Sequence, residues 1–156
     1  MSWGSSSRGA HGHDRVHRLA IRSLTRDPRS DALTAEAHAL GSVAVHHIDV
    51  VDLVFVRGAL TAEDKTRLAA ELLVDPLLQT ATWGTDARAD ERRFVETALL
   101  PGVTDSVAAE IVRAAGLLGI PVDAAATGRR YEIDGPVNVA RWEGAFIFNA
   151  FIRLPL

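Results

Sequence analysis

The chain contains no cysteine. That excludes disulfides, thiolate metal sites and a cysteine nucleophile, and it fits a reducing, cytoplasmic compartment. No apolar run reaches the roughly 18–20 residues needed to cross a bilayer. The opening segment, MSWGSSSRGAHGHD, has no apolar centre and does not read as a secretory signal. It is expected to be a disordered tail over residues 1–14. An excess of basic charge is also missing. The formal net charge is −3, which argues against the broad positive field that nucleic-acid binding uses. The sequence holds no G-x-S-x-G elbow, no G-x-x-x-x-G-K-[ST] phosphate loop and no G-x-G-x-x-G fingerprint. What is present, 47% hydrophobic and 24% charged residues in a chain of 156, suits a cored globular protein of one domain or two very small ones.

Much of that chain reads as two diverged copies of one pattern. Asp27 matches Asp105, and Leu40-Gly41 matches Leu118-Gly119, both at a spacing of 78 residues. Asp75-Pro76-Leu77-Leu78-Gln79 matches Asn149-Ala150-Phe151-Ile152-Arg153 at a spacing of 74. The first copy spans residues 15–83, a polar linker spans 84–91, and the second copy spans 92–156, degenerating after 136. Within the first, residues 16–24 read as a strand with Leu19 and Ile21 on one face and Arg18 and Arg22 on the other. Asp27 caps a helix whose first residue is Pro28, and Gly41 stops it. Residues 43–56 form a long strand, or two strands meeting near His46-His47. Thr61 caps a second helix, with Asp64 where a capping box prefers Glu. Asp75-Pro76 ends that helix, and residues 77–82 form a short closing strand.

The second copy repeats the order. Residues 93–100 read as a strand, Pro101-Gly102 as a turn, and Thr104 or Asp105 as the cap of a helix carrying Val107, Ile111, Ala114 and Leu118. Residues 122–133 form the long strand. After Pro136, Val139, Trp142 and Phe146 recur at helical spacing, weakened by Gly144. Each unit is therefore β-α-β-α. A unit of this size is marginal alone, so the expected fold is α+β: two repeats, each with a small antiparallel sheet and outer helices, paired about a pseudo-two-fold axis.

Candidate chemistry is sparse. His11, His13 and His17 lie in or beside the tail, and a metal site needs three or four converging ligands. His46 and His47 are adjacent, so on a strand they face opposite ways and cannot chelate together. His38 falls on the polar side of its helix. Asp105 is accounted for as a cap. Thr127-Gly128-Arg129-Arg130-Tyr131 is the polar cluster that stands out inside a strand. There Gly128 permits a bulge, Arg129 and Arg130 face opposite ways, and both are suited to a phosphate or an acidic partner surface. The simpler reading is a solvated strand face with Tyr131 in the core.

Residues 99–120 (LLPGVTDSVAAEIVRAAGLLGI), followed by 126–133 (ATGRRYEI), resemble the N-terminal region of phosphoribosylformylglycinamidine synthase. More narrowly, they resemble its small PurS subunit and the tandem, fused form of that subunit. In that family each repeat runs strand, PGV-x-D turn, helix ending in LG, strand, second helix, and a closing Asp-Pro motif. Residues 72–79 (LLVDPLLQ) are similar to that close. The first copy departs at its turn, Thr25-Arg26-Asp27-Pro28, which lacks Pro-Gly-Val.

The resemblance implies a non-catalytic assembly module in purine biosynthesis. It would bridge an ATP- and Mg-dependent synthetase (PurL-type) and a glutaminase (PurQ-type) and help ammonia pass between them. It implies no catalytic residue, no metal and no cofactor in this chain, and no nucleic-acid or membrane partner. Arg129, Arg130 and Tyr131 are the candidates for partner contact. A different class of function is a small-molecule-sensing regulatory domain of ACT-like type, since paired βαβ units offer an interface for ligands. A free-standing enzyme is the third, and it has no recognisable nucleophile-base arrangement to support it.

Overall fold

A computed structural model describes residues 15–84, 93–99 and 103–136, and the backbone of 150–153. The tail at 1–14, the Pro101-Gly102 turn, nearly all of the polar linker and the helical stretch carrying Val139, Trp142 and Phe146 lie outside the described residues. The elements run β1 (Val16–Ser23), α1 (Pro28–Ala39), β2 (His47–Arg57), α2 (Ala62–Leu68), β3 (Gln79–Trp83), β4 (Arg93–Leu99), α3 (Ser106–Leu117), β5 (Ala124–Asp134) and β6 (Ala150–Arg153). A π-helical turn, Ala69–Leu73, continues directly from α2.

The helix ends follow local chemistry. The Asp27 carboxylate accepts from the Arg29 backbone N–H, with Pro28 as the first helical residue. The Asp105 carboxylate accepts from the Ala108 N–H at 2.9 Å. Gly41 (φ +87°) and Gly119 (φ +72°) take the left-handed conformation just past the ends of α1 and α3. At α2 the capping box is complete with Asp in place of Glu. The Thr61 hydroxyl accepts from the Asp64 N–H at 3.1 Å, and the Asp64 carboxylate accepts from the Thr61 N–H at 2.9 Å.

The strands form one antiparallel sheet in the order β3-β1-β2-β5-β4-β6. Its centre is the β2–β5 ladder, which pairs without interruption from His47↔Asp134 to Arg57↔Ala124. The two small sheets expected from the repeats are therefore one: β2 is a single strand, and β5 uses its whole length to pair with it. β1 covers β2 only from Asp52 to Arg57. Beyond that point α1 completes the ladder: the Ile48 N–H donates to Thr34 Oγ1 and the Val50 N–H to Ser30 Oγ, each at 3.1 Å. Backbone donors that would otherwise be orphaned are satisfied by helix hydroxyls.

The three helices among the described residues pack on one face of this sheet. Leu68 of α2 and Ile111 and Ala115 of α3 bury Leu19, Ile21, Val54 and Val56. Ala37 of α1 buries Ile48, Val95 and Ile133. Among the described residues no helix is long and apolar enough to cross a membrane.

Three further expectations are corrected. The helix after Thr61 does not run regularly to Asp75-Pro76: it ends at Leu68 and widens into the π turn, which places Leu72 and Leu73 half-buried against the core. Gly128 makes no bulge, because it keeps regular register with both Leu53 and Ala98. Glycine is required there by close approach instead: a Cβ would stand 2.6 Å from the Thr97 carbonyl oxygen. Finally, the matched closing motifs differ in structure. Residues 75–78 form a turn with the Asp75 carboxylate accepting from the Leu77 N–H, whereas Ala150–Arg153 is the strand β6.

Candidate functional site

Strand alternation sends neighbouring residues of β5 to opposite faces, and this sorts the three candidates. Arg129 lies on the helix-covered face, with its side chain 54% exposed. Tyr131 lies on the same face, partly buried against the cluster formed by Ala37, Val45, Ile48, Val95 and Ile133. Arg130 points to the opposite face and is 4% exposed. The simple reading of a solvated strand face thus holds for Arg129 and not for Arg130.

Arg130 belongs to an ionic network whose members come from β1, β4 and β5. Its Nε donates to Glu96 Oε1 at 2.7 Å, and Arg18 Nη2 donates to the same oxygen at 2.5 Å. Arg22 holds Glu132 through two parallel bonds of 2.9 and 2.6 Å, the fork geometry that suits guanidinium and carboxylate. The Arg130 guanidinium also stands 4.1 Å from the centroid of the Phe94 ring. Arg130 Nη1 is buried without a hydrogen-bond partner, 3.8 Å from Glu132 Oε1. The network sits beside the buried Ala20, Val51 and Leu53. Glu96 and Glu132 were not singled out from sequence. The available signal was Arg18 and Arg22 on one strand face and the Arg130-x-Glu132 alternation. Only the strand register shows that these charges meet.

The helix-covered face carries a second charged group at its centre. Asp52 and Arg129 are directly opposed in the β2–β5 ladder, with Arg129 Nε 3.6 Å from Asp52 Oδ1. Arg29, from the first turn of α1, donates to both oxygens of Asp52 at 2.9 Å and to Asp27 at 2.8 Å. Hydrogen bonds from Arg29 hold the Asp27 carboxyl below its ordinary range against the opposing effect of burial, and Arg29 itself is raised, first by Asp52 and then by Asp27. Beside this group a cleft of about 450 Å³ opens between the π turn and α3, with Asp52, Thr127 and Arg129 on its floor and Leu72, Leu73, Val107 and Ile111 on its walls.

Several other polar groups are engaged structurally. Asp105 caps α3 and also accepts from the Thr127 N–H and hydroxyl at 2.7 and 2.8 Å, tying α3 to β5. Burial opposes its ionisation, yet the hydrogen bonds from Ala108 and Thr127 keep its carboxyl lowered. The hydroxyls of Ser30 and Thr34 finish the edge of β2, and Thr61 caps α2. His17 is buried in β1 with Nε2 3.3 Å from the Gly58 carbonyl, and burial followed by the charge of Lys65 lowers its pKa. His38 lies 2.6 Å from the Val45 carbonyl. His46 and His47 pair separately with Asp134 and Asp49. Among the described residues no group of three His, Asp or Glu side chains is placed to hold a metal ion.

No family model matches the chain, and no curated protein matches it.

Proposed function

We propose that this chain is a non-catalytic docking module of the PurS kind, one that helps a synthetase and a glutaminase assemble and pass ammonia between them in phosphoribosylformylglycinamidine synthesis. The observation that carries the reading is the sheet order β3-β1-β2-β5-β4-β6. Each half supplies a strand, a helix and a long strand, and the two long strands join at the centre. This is the arrangement expected of a tandem pair related by a pseudo-two-fold axis. Further support comes from α1 and α3, which are both 12 residues long and both capped by Asp. The enzyme assignment itself rests on the sequence resemblance of residues 99–133.

In this reading the polar side chains serve folding and docking rather than bond making. Arg129 is the half-exposed cation available to an acidic partner surface, while Arg130 holds the sheet from within. Docking contributes by fixing two active sites relative to each other and keeping water from the path between them.

The test is reconstitution. The chain is mixed with a synthetase and a glutaminase from the same source, and glutamine-dependent amidine formation is followed with and without it. The expected result is co-elution of the three proteins, and glutamine-dependent turnover that requires the chain while free ammonia supports turnover in its absence. Failure to co-elute, with unchanged turnover, contradicts the reading.

A further inference from the structure

The centre of a helix-covered sheet face is ordinarily apolar, and here it is charged. Val50 and Val54, which flank Asp52 on the same face of β2, are each 6% exposed. The Asp52 and Arg129 side chains between them retain 32% and 54%. Packing does not call for a charged pair at this point. A gap between the helices does: α1 covers one end of the face, α2 and α3 cover the other, and the cleft of about 450 Å³ lies between the π turn and α3. Its size falls within the range of small-molecule sites. One wall is the π-helical turn, a rare conformation that concentrates at functional sites.

The charges on the cleft are unequally occupied. Both oxygens of Asp52 are taken by Arg29 at 2.9 Å. Both oxygens of Glu110, at the rim, are taken by Arg113. Arg129 Nε stands 3.6 Å from Asp52 Oδ1, beyond hydrogen-bond distance. The oxygens of both acids are therefore occupied, with Arg29 shared between Asp52 and Asp27, and the guanidinium fork of Arg129 keeps donors to spare. Such a fork is complementary to a carboxylate, and the Leu72, Leu73, Val107 and Ile111 side chains beside it are all aliphatic.

We propose that this cleft binds a small aliphatic carboxylate, its carboxylate held by Arg129 and its hydrocarbon body by Leu72, Leu73, Val107 and Ile111. The inference shares Arg129 with the docking role proposed above, and it is tested on the chain alone, without a partner protein.

The experiment is a calorimetric titration of the full chain with three carboxylates (3-methylbutanoate, 4-methyl-2-oxopentanoate and octanoate) and with 3-methylbutylamine, which keeps the hydrocarbon and lacks the carboxylate. Two variants accompany it. Arg129→Gln removes the cation from a half-exposed position. Val107→Trp fills the cleft from an exposed site on α3 without changing charge, and both are checked by circular dichroism for an unaltered fold. The expected result is saturable binding of at least one carboxylate, no binding of the amine, about tenfold or more weakening in Arg129→Gln and loss of binding in Val107→Trp. The inference is overturned if no carboxylate saturates by ~10 mM, if the amine binds equally well, or if Arg129→Gln leaves the affinity unchanged.

Discussion

Arg129 and Arg130 are neighbours in the chain, yet they live on two faces of one sheet that are built by different means. On the helix-covered face, Leu19, Ile21, Val54 and Val56 bury against Leu68, Ile111 and Ala115, and a charged group sits at the gap around Asp52 and Arg129. On the opposite face, arginine and glutamate side chains lie over a small apolar group of Ala20, Val51 and Leu53. The first arrangement draws its stability from apolar area removed from water. The second depends on satisfying ions taken out of water, where a matched set costs little and an unmatched member costs a great deal. The difference teaches that an arginine inside a strand is not informative by type; the face that it occupies decides whether it is framework or available to a ligand.

The largest effect is expected where that matching is broken. Glu132→Ala removes the carboxylate that Arg22 holds through two hydrogen bonds, in a site where Glu132 is 2% exposed, and should cost about 3–5 kcal/mol in urea unfolding. A cost under about 1 kcal/mol would place the network in the category of solvated surface pairs. Next comes Gly128→Ala. Its Cβ would meet the Thr97 carbonyl oxygen at 2.6 Å, so the β4–β5 ladder must shift. The expected loss is about 1–3 kcal/mol, the usual range for overpacking, measured by the same unfolding curve.

Asp105→Ala sharpens the comparison from the helix side. It removes the cap of α3 and the tie to Thr127, and about 1–2 kcal/mol should be lost. Its contribution also has a defined pH sense. The Asp27 and Asp105 carboxyls are lowered from 3.8 in the folded protein, so their stabilisation is present above that value and disappears as pH falls through the lower folded ones. His17 is lowered from 6.5. The folded state therefore prefers it neutral, and its contribution is present above 6.5 and lost as pH falls below it. Urea midpoints measured from pH 7.5 down to 3 should decline in two stages (about pH 6.5 and about pH 4). His17→Gln should remove the first stage, and Asp105→Asn should reduce the second. A single acid transition, unchanged by His17→Gln, would contradict the assignment.

The elements legible in the sequence are those set by local chemistry. Asp27, Thr61 and Asp105 cap where expected, Gly41 and Gly119 terminate α1 and α3 with positive φ, and Leu19 and Ile21 face the core opposite Arg18 and Arg22. What was not legible depends on register. Nothing in residues 43–56 or 122–133 taken separately specifies that the two strands pair along their full length, so one sheet was expected as two. The π turn was not legible because residues 69–73 carry ordinary helix formers; in the structure Leu72 and Leu73 of that turn pack against the core. Glu96 and Glu132 drew no attention because a carboxylate on an alternating strand reads as a solvated face until a partner strand places arginines across from it. The centre of the candidate cleft, Asp52 opposite Arg129, is likewise a property of the β2–β5 register alone.

The most direct measurement is urea unfolding of Arg129→Gln and Arg130→Gln side by side. Arg129 is half-exposed and makes no hydrogen bond to Asp52, so its replacement should leave stability within about 0.5 kcal/mol. Arg130 is buried, bonded to Glu96 and stacked over Phe94. Glu96 keeps Arg18 when Arg130 is lost, so the expected cost is about 2–3 kcal/mol. Equal midpoints for the two variants, or a greater loss from Arg129→Gln, would contradict the division of the sheet into an ionic framework face and a helix-covered face with an open charged centre.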